Sequence, residues 1–259
     1  QRVDDVVALL GRDHVDYLSV KISAICSQLD VLAFDQSVTR IVERLRLLYR
    51  AAQRREPAKF VNLDMEEYRD LHLTVAAFKQ ALDEDEFANL DAGIVLQAYL
   101  PDSYAVLRDL CEWAQARRAR GGGRIKIRIV KGANLAMEHV DAEIHGWVAA
   151  PFDNKADVDA NYKRMLDLLL QAKYADAVRI GVASHNLFDI AWALTLRTHY
   201  NAQDRLEIEL RDGMAPPQSE AGADAAGGVL IHRPDTRPGR PAAAAGGPPR
   251  RLAQNPPPP

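Results

Sequence analysis

The sequence predicts an α/β fold of the (βα)8 barrel class, and three observations support this prediction. Short apolar runs typical of strands alternate with longer segments that have helical periodicity. The units recur about every 30 to 50 residues, and 259 residues is an ordinary length for one barrel. Polar side chains recur at the carboxyl end of one predicted strand after another, whereas a doubly wound sheet concentrates its ligand groups at one switch point. We therefore favour the barrel over the doubly wound sheet.

Seven strands are predicted, at 16–23, 60–64, 93–99, 125–130, 178–186, 206–210 and 229–232. Helical spacing of apolar residues predicts helices at 37–55, 65–82, 103–120, from 135, at 162–173 and at 190–197. The chain opens in a segment that itself has helical spacing. With seven strands and this opening, we expect an incomplete barrel that lacks its first strand.

The C-terminal part departs from the strand-helix pattern. From 211 onward the sequence has no Phe, Trp or Tyr, and it holds 11 of the 14 prolines. Such a composition cannot bury enough apolar surface to offset the entropy of ordering the chain. We expect a barrel domain over 1–234 and a disordered tail rich in Pro, Gly and Ala over 235–259, with the last barrel helix degraded.

Composition excludes several classes of function. The formal net charge is -3, so no overall basic footprint points to nucleic acid. The two cysteines, Cys26 and Cys111, are far apart and lack the spacing of a disulfide framework or a zinc site. No apolar run reaches the roughly 20 residues that a membrane-spanning helix needs. We expect a cytoplasmic protein.

The run IKIRIVKG at 125–132 combines a strand pattern with cations. Isoleucines alternate with Lys126 and Arg128, and Lys131 and Gly132 follow where the strand ends. Since ligands bind at the carboxyl ends of strands in α/β folds, Arg128 and Lys131 are candidates for holding an anion. The alternative is a solvated edge strand that carries lysines.

The strand ends together form one candidate site, made of Lys21, Asp64, Gln97, Arg128, Lys131, Ser184, His185 and Asn186. This set is rich in cations and has one clear carboxylate. It lacks the clustered Asp, Glu and His of a metal site and the GxSxG motif of a nucleophile elbow. Convergent cations suit phosphates, a substrate carboxylate, or both.

Simpler interpretations of these residues stay open. Lys21 has the alternative of a surface lysine on an edge strand. The alternative for Asp64 is that it is the N-cap of the helix predicted from 65. Glu66 and Glu67 would then only stabilise the N-terminus of that helix. His185 and Asn186 are also common turn residues.

Seven short motifs give a more specific indication: VKIS at 20–23, NLDMEE at 62–67, VLQAY at 95–99, IRIVKGAN at 127–134, KADVDANYKRML at 155–166, ASHN at 183–186 and DGMAPPQ at 212–218. They occur in the order seen in the proline dehydrogenase family, so the chain resembles that family. It is most similar to the proline dehydrogenase half of bacterial bifunctional flavoproteins whose other half is a glutamate semialdehyde dehydrogenase. The resemblance implies a (βα)8 barrel that binds FAD, oxidises L-proline to 1-pyrroline-5-carboxylate, and passes electrons to a quinone through peripheral contact with the inner membrane.

The resemblance also implies roles for individual residues. Arg128 and Gln97 would lie against the flavin ring, where a cation raises electron affinity. Lys131 and Gly132 would lie beside the ribityl and pyrophosphate part of FAD. Additional cofactor contacts would come from Ser184, His185 and Asn186.

The implied substrate pocket contains Lys21 and Asp64, paired with each other so that Asp64 stays ionised. Asn134 would contact the substrate, at a position where much of the family has an aromatic residue. Arg250 and Arg251 are the candidates for the arginine pair that binds the substrate carboxylate.

The chain also departs from the family pattern near its end. His232 replaces a tyrosine of the last strand. The sequence AAAAGGPP before Arg250 cannot form the helix that should carry the arginine pair, because prolines remove donors and clash with the preceding turn.

Two alternatives to an active oxidoreductase stay open. One is a barrel lyase or aldolase that uses Lys21 as a Schiff base. The other is a non-catalytic barrel fragment.

Overall fold

The computed structural model describes residues 2–211, 229–234 and 244–246. The strands are β1 (Tyr17–Lys21), β2 (Phe60–Asp64), β3 (Ala92–Gln97), β4 (Ile125–Val130), β5 (Val178–Ala183), β6 (Leu206–Arg211), β7 (Val229–Pro234) and β8 (Ala244–Gly246). The α-helices are α1 (Arg2–Leu10), α2 (Ile22–Ile25), α3 (Phe34–Gln53), α4 (Leu71–Leu82), α5 (Ser103–Ala119), α6 (Leu135–His145), α7 (Lys155–Leu170) and α8 (Leu187–His199). Short 3-10 helices lie at Tyr68–Asp70, Asp85–Phe87 and Ala172–Tyr174.

The strands form one curled sheet whose order follows the chain. Each strand from β1 to β7 pairs in parallel with the next, which confirms the seven predicted strands and the incomplete α/β barrel. The three-residue β8 pairs antiparallel with both β7 and β1, so it occupies the place where a regular barrel has one more parallel strand. Of the predicted tail, the structure describes only β8. The rest lies outside the described residues.

One predicted helix begins later than the sequence indicates. The helix expected from 65 starts at Leu71, after the 3-10 turn Tyr68–Asp70. Glu67 has an extended backbone, with φ -108° and ψ 149°, so the chain continues past β2 before it turns. The interpretation of Asp64 as an N-cap is therefore wrong. The assignment of Glu66 and Glu67 to a helix N-terminus is wrong for the same reason.

The apolar core lies between the outer face of the sheet and the helices. In β4 the three isoleucines are at most 1 % exposed, and they belong to a continuous cluster with side chains of the surrounding helices. Successive side chains of a strand point to opposite faces, so burial of the isoleucines directs Lys126 and Arg128 into the barrel. Within the described residues, no helix is both long and apolar enough to cross a lipid bilayer.

The inner face of the barrel is polar and tightly filled. The rings of Tyr17 and Phe60 stack with centroids 5.2 Å apart, and Asn62 donates a hydrogen bond to Ser19 Oγ over 3.0 Å. Lys126 is only 4 % exposed, and its Nζ lies 5.5 Å from the centre of the Tyr17 ring. Because β4 pairs with strands on both sides and its cations are buried, the alternative of a solvated edge strand is wrong.

The packing inside the barrel leaves no room for a side chain at Gly93. A Cβ there would lie 2.4 Å from Asn62 Oδ1 and 2.8 Å from Phe60 Cε1. We expect Gly93→Ala to lower the free energy of unfolding by about 1–3 kcal/mol through overpacking, measured by chemical denaturation. Gly11→Ala, at an exposed helix end, is the control and should change it by less than about 0.5 kcal/mol. Equal stabilities of the two variants would contradict this packing.

Candidate active site

Arg128 occupies the centre of the strand ends. It lies on the inner face of β4 and is 7 % exposed. Its Nη2 donates to Asp64 Oδ1 over 2.8 Å, and its Nη1 lies 3.5 Å from Glu209 Oε2. Burial alone would lower the pKa of the guanidinium, but the negative charges of Asp64 and Glu209 outweigh burial and raise this pKa above its ordinary value. Arg128 is therefore a fixed positive charge.

Glu209 connects Arg128 to a second buried cation. It lies on the inner face of β6, is 1 % exposed, and its Oε1 is 2.6 Å from Lys126 Nζ. A Cβ at Gly181 of the intervening β5 would lie 2.2 Å from Glu209 Oε1, so only glycine leaves space for this carboxylate. We call Lys126, Glu209, Arg128 and Asp64 the buried charge network.

Lys21 does not pair with Asp64, and this prediction is wrong. Although the two residues are register partners in β1 and β2, Lys21 Nζ binds Glu66 Oε1 over 2.5 Å. Ser23 Oγ also donates to Glu66, over 3.0 Å. Asp64 is already held by Arg128, and the extended backbone after β2 brings Glu66 within reach of Lys21. Burial alone would raise the pKa of Glu66, but the bonds from Lys21 and Ser23 outweigh it and hold this pKa below its usual range.

Gln97 ends β3 beside these groups and is 2 % exposed. Its Nε2 donates to the carbonyl oxygen of Glu66 over 3.3 Å. Its Oε1 is buried and accepts no hydrogen bond from the part of the chain that the structure describes. A buried amide oxygen without a donor is costly, and such groups are commonly completed by a ligand or water.

Lys131 is held by two carboxylates. Its Nζ lies 2.6 Å from Asp159 Oδ1 of α7 and 2.7 Å from Asp189 Oδ2 of α8. Ser184 Oγ donates to the same Asp189 oxygen over 3.0 Å. Burial alone would lower the pKa of Lys131, but the two hydrogen-bonded carboxylates outweigh burial and raise it. The predicted residues Lys131 and Ser184 therefore share one network.

The remaining predicted residues have different positions. Asn186 accepts from the Phe188 backbone N–H over 2.9 Å and is the N-cap of α8. His185 precedes it and is half-buried. Asn134 lines a groove of about 1000 Å³ between α6 and the segment after β2. Arg250 and Arg251 lie outside the described residues.

Four carboxylates of this site were not predicted from the sequence: Glu66, Asp159, Asp189 and Glu209. The description of the strand ends as rich in cations is therefore wrong, because Lys21, Arg128 and Lys131 each have at least one carboxylate partner. A signal existed for Glu209, since LEIEL alternates charged and apolar residues as IKIRIV does. Asp159 and Asp189 lie on helices, and no strand pattern identifies them. Within the part of the chain that the structure describes, no three His, Cys, Asp or Glu residues are grouped as a metal site.

Asp70 adds a carboxylate of a different kind at the start of α4. It is buried, and burial raises its pKa to about 6, with a smaller contribution from the negative charge of Glu67. The folded state therefore holds the proton more tightly than the unfolded chain does.

The fold and the site define an α/β barrel with an ion-paired binding site at the carboxyl ends of its strands. The proline dehydrogenase family model matches residues 5–236, and the chain belongs to the proline dehydrogenase family.

Individual relatives agree with this assignment. Proline dehydrogenase of Deinococcus radiodurans is 27 % identical over 215 residues, which are 82 % of this chain and 59 % of that protein. Proline utilization A (PutA) from Corynebacterium freiburgense is 49 % identical with a TM-score of 0.85, over 89 % of this chain and 24 % of that one. PutA from Bdellovibrio bacteriovorus, in a structure inactivated by N-propargylglycine, is 36 % identical with a TM-score of 0.75, over 83 % of this chain and 22 % of that one. The chain thus spans about a quarter of these PutA proteins and 59 % of the Deinococcus protein.

Removal of the Glu209 charge tests the buried charge network. We expect Glu209→Gln to lower the free energy of unfolding by about 3 kcal/mol, because the positive charges of Lys126 and Arg128 would stay buried without the negative charge of Glu209. Glu207→Gln is the matched control: Glu207 is on the same strand and also binds Lys126, over 2.6 Å, but its side chain is 47 % exposed. It should cost less than about 1 kcal/mol in the same denaturation measurement. Equal costs would contradict the network.

The raised pKa of Asp70 predicts that Asp70→Asn increases the stability of the fold, by an amount that depends on pH. Because the folded pKa of this acid exceeds the unfolded one, its ionisation destabilises the fold increasingly as pH rises from about 4 to about 6. The variant should therefore be more stable than the parent by about 2 kcal/mol at about pH 7.5, and by little at about pH 4, in denaturation curves at both pH values. Asp85→Asn, at an exposed position, is the control. A gain that is the same at both pH values would contradict the prediction.

Proposed function

We propose that this barrel carries out the FAD-dependent oxidation of L-proline to 1-pyrroline-5-carboxylate. The main support is a fixed arginine charge at the strand ends of a chain that belongs to the proline dehydrogenase family. Arg128 is held between Asp64 and Glu209 and is oriented before any ligand arrives. Preorganised charges of this kind stabilise charge that develops during a reaction without a cost of reorganisation.

The residues present fit a flavin. The buried Gln97 Oε1 is an acceptor that suits the N–H of a flavin ring, and Arg128 is a donor that suits its carbonyl oxygens. Lys131, directly after β4, supplies a further cation for the ribityl and pyrophosphate part. Ser184 lies near it because both bind Asp189. Gly132, His185 and Asn186 continue this edge of the proposed cofactor site.

When bound, FAD supplies the hydride acceptor. The chain's own residues position the substrate. Lys21 and Glu66 form an ion pair at the end of β1, next to Asp64 on β2, and this arrangement offers both charges to a zwitterionic amino acid. We propose Lys21, Asp64 and Asn134 as substrate-binding residues, and Arg250 and Arg251 as the groups for the substrate carboxylate.

Partners of the chain are also proposals. The PutA relatives, of which this chain spans about a quarter, support a fused glutamate semialdehyde dehydrogenase domain in the full-length protein. We also propose a quinone as the final electron acceptor, reached by a cytoplasmic protein through peripheral contact with the inner membrane.

Anaerobic reduction of bound FAD by L-proline tests the proposed function. We expect the chain to bind FAD. Addition of L-proline should then bleach the visible absorbance of the bound FAD, because proline gives two electrons to the flavin and no oxygen is present to remove them. Absence of FAD binding, or FAD that proline does not bleach, would contradict the proposal. Borohydride trapping of a substrate on Lys21 would instead support a Schiff-base enzyme.

A matched pair of lysine variants checks the cofactor site in the same experiment. Lys131 and Lys155 both bind Asp159, but Lys131 is 25 % exposed at the strand ends, whereas Lys155 is 75 % exposed on α7. Lys131→Met should weaken FAD binding about tenfold, which is the loss of roughly one charged contact, whereas Lys155→Met should not. The dissociation constants come from quenching of flavin fluorescence.

A further inference from the structure

Glu138 lies in the first turn of α6, directly after the Lys131–Gly132 turn. Its Oε1 accepts two hydrogen bonds from other parts of the barrel. The backbone N–H of Tyr68 donates over 2.7 Å, and the hydroxyl of Tyr99 donates over 3.3 Å. One carboxylate oxygen of Glu138 thus connects α6 to the segments that follow β2 and β3.

The bond to Tyr99 reaches the turn after β4. Gly132 has φ +130°, and a Cβ at this position would lie 2.4 Å from Tyr99 Cδ1, so the ring lies flush against the glycine backbone. The Tyr99 backbone N–H also donates to the carbonyl oxygen of Lys131 over 2.7 Å. Burial raises the pKa of Tyr99, and the charge of Glu138 raises it further, which keeps the hydroxyl protonated as a donor. The Tyr99 ring therefore fixes the backbone between Lys131 and Gly132.

The bond to Tyr68 reaches the other side of the site. Tyr68 lies two residues after Glu66, which binds Lys21 through its side chain and Gln97 through its backbone carbonyl. The Tyr68 hydroxyl also donates to Asp102 Oδ2 over 2.8 Å. The segment that carries Glu66 is thus held through both the backbone N–H and the side chain of Tyr68.

We propose that Glu138 is a positioning residue of the active site. It holds the Lys131–Gly132 turn and the Glu66 segment at a fixed distance, through hydrogen bonds to Tyr68 and Tyr99. This inference rests on the proposed function, because the geometry that it fixes is the geometry of the proposed FAD and proline sites. The competing role is a helix N-terminal acid, which would act only through its charge on the dipole of α6.

Two measurements on the full chain test the role of Glu138. The first is hydrogen–deuterium exchange in the absence of flavin, read at Tyr68 and at 131–133. The second is the dissociation constant for FAD from quenching of flavin fluorescence. We expect Glu138→Ala to speed exchange in both segments about tenfold and to weaken FAD binding by a similar factor, because both hydrogen bonds are lost.

Conservative and matched variants separate hydrogen bonding from charge. Glu138→Gln keeps an acceptor oxygen and should retain most of the FAD affinity that Glu138→Ala loses. If Glu138 acted only through its charge on the helix dipole, the Gln and Ala variants would lose the same affinity. Asp141→Asn removes the same charge from the next turn of α6, at a residue whose described partner is His145, and should leave both measurements unchanged. Tyr99→Phe removes only the hydroxyl bond and should weaken FAD binding severalfold. It keeps the test valid if Glu138→Ala does not fold.

Each remaining outcome contradicts the inference in a distinguishable way. Unchanged exchange in Glu138→Ala would show that the two bonds do not hold these segments. Faster exchange with unchanged FAD affinity would overturn the positioning role while the proposed function stands. Equal loss of affinity in the Gln and Ala variants, or in Asp141→Asn, would assign the effect to charge. Failure of the unmodified chain to bind FAD would overturn the proposed function itself, and with it this inference, whatever the exchange data show.

Discussion

The structure depends on compensation of charges that are buried inside the barrel. Barrel interiors are usually filled with layers of branched apolar side chains, but here Lys126, Arg128 and Glu209 point inward and are almost inaccessible to water. Each charge alone would cost several kcal/mol to bury, so none of them is tolerable without its partners. The strands must therefore pair in the one register that brings the carboxylates of β2 and β6 to the cations of β4.

This constraint extends to residues that carry no charge. Gly181 is required because the Glu209 carboxylate passes over its backbone, and Gly93 is required because Asn62 and Phe60 fill the adjacent space. The same arrangement fixes Arg128 at the open end of the barrel, where its guanidinium has little freedom to move. A site built in this way is rigid before a ligand binds, and less conformational entropy is lost on binding.

The seven strands could be predicted from sequence because side chains along each strand point alternately to the two faces of one sheet, and the two faces differ in polarity. IKIRIV places three isoleucines against the helices and two cations inside the barrel, and both consequences follow from a period of two. The partner of each charge could not be predicted in the same way. Lys21 and Asp64 are register neighbours, yet Lys21 binds Glu66, because the position of Glu66 depends on a backbone path after β2 that has no periodic pattern. Asp159 and Asp189 reach Lys131 from two helices, which only tertiary packing brings together.

Each site cation that the structure describes is paired with a carboxylate, and this pairing changes how ligand recognition must work. Unpaired cations attract anions over long range and with little selectivity, whereas paired cations offer a nearly neutral surface with fixed donors and acceptors. A ligand gains at such a surface only when its own donors and acceptors match the groups that remain, such as the Gln97 Oε1. Specificity then depends on how precisely the strand ends are held relative to one another. The segments that connect them, including the turn after β4 and the path after β2, are therefore as important to the site as the residues that face the ligand.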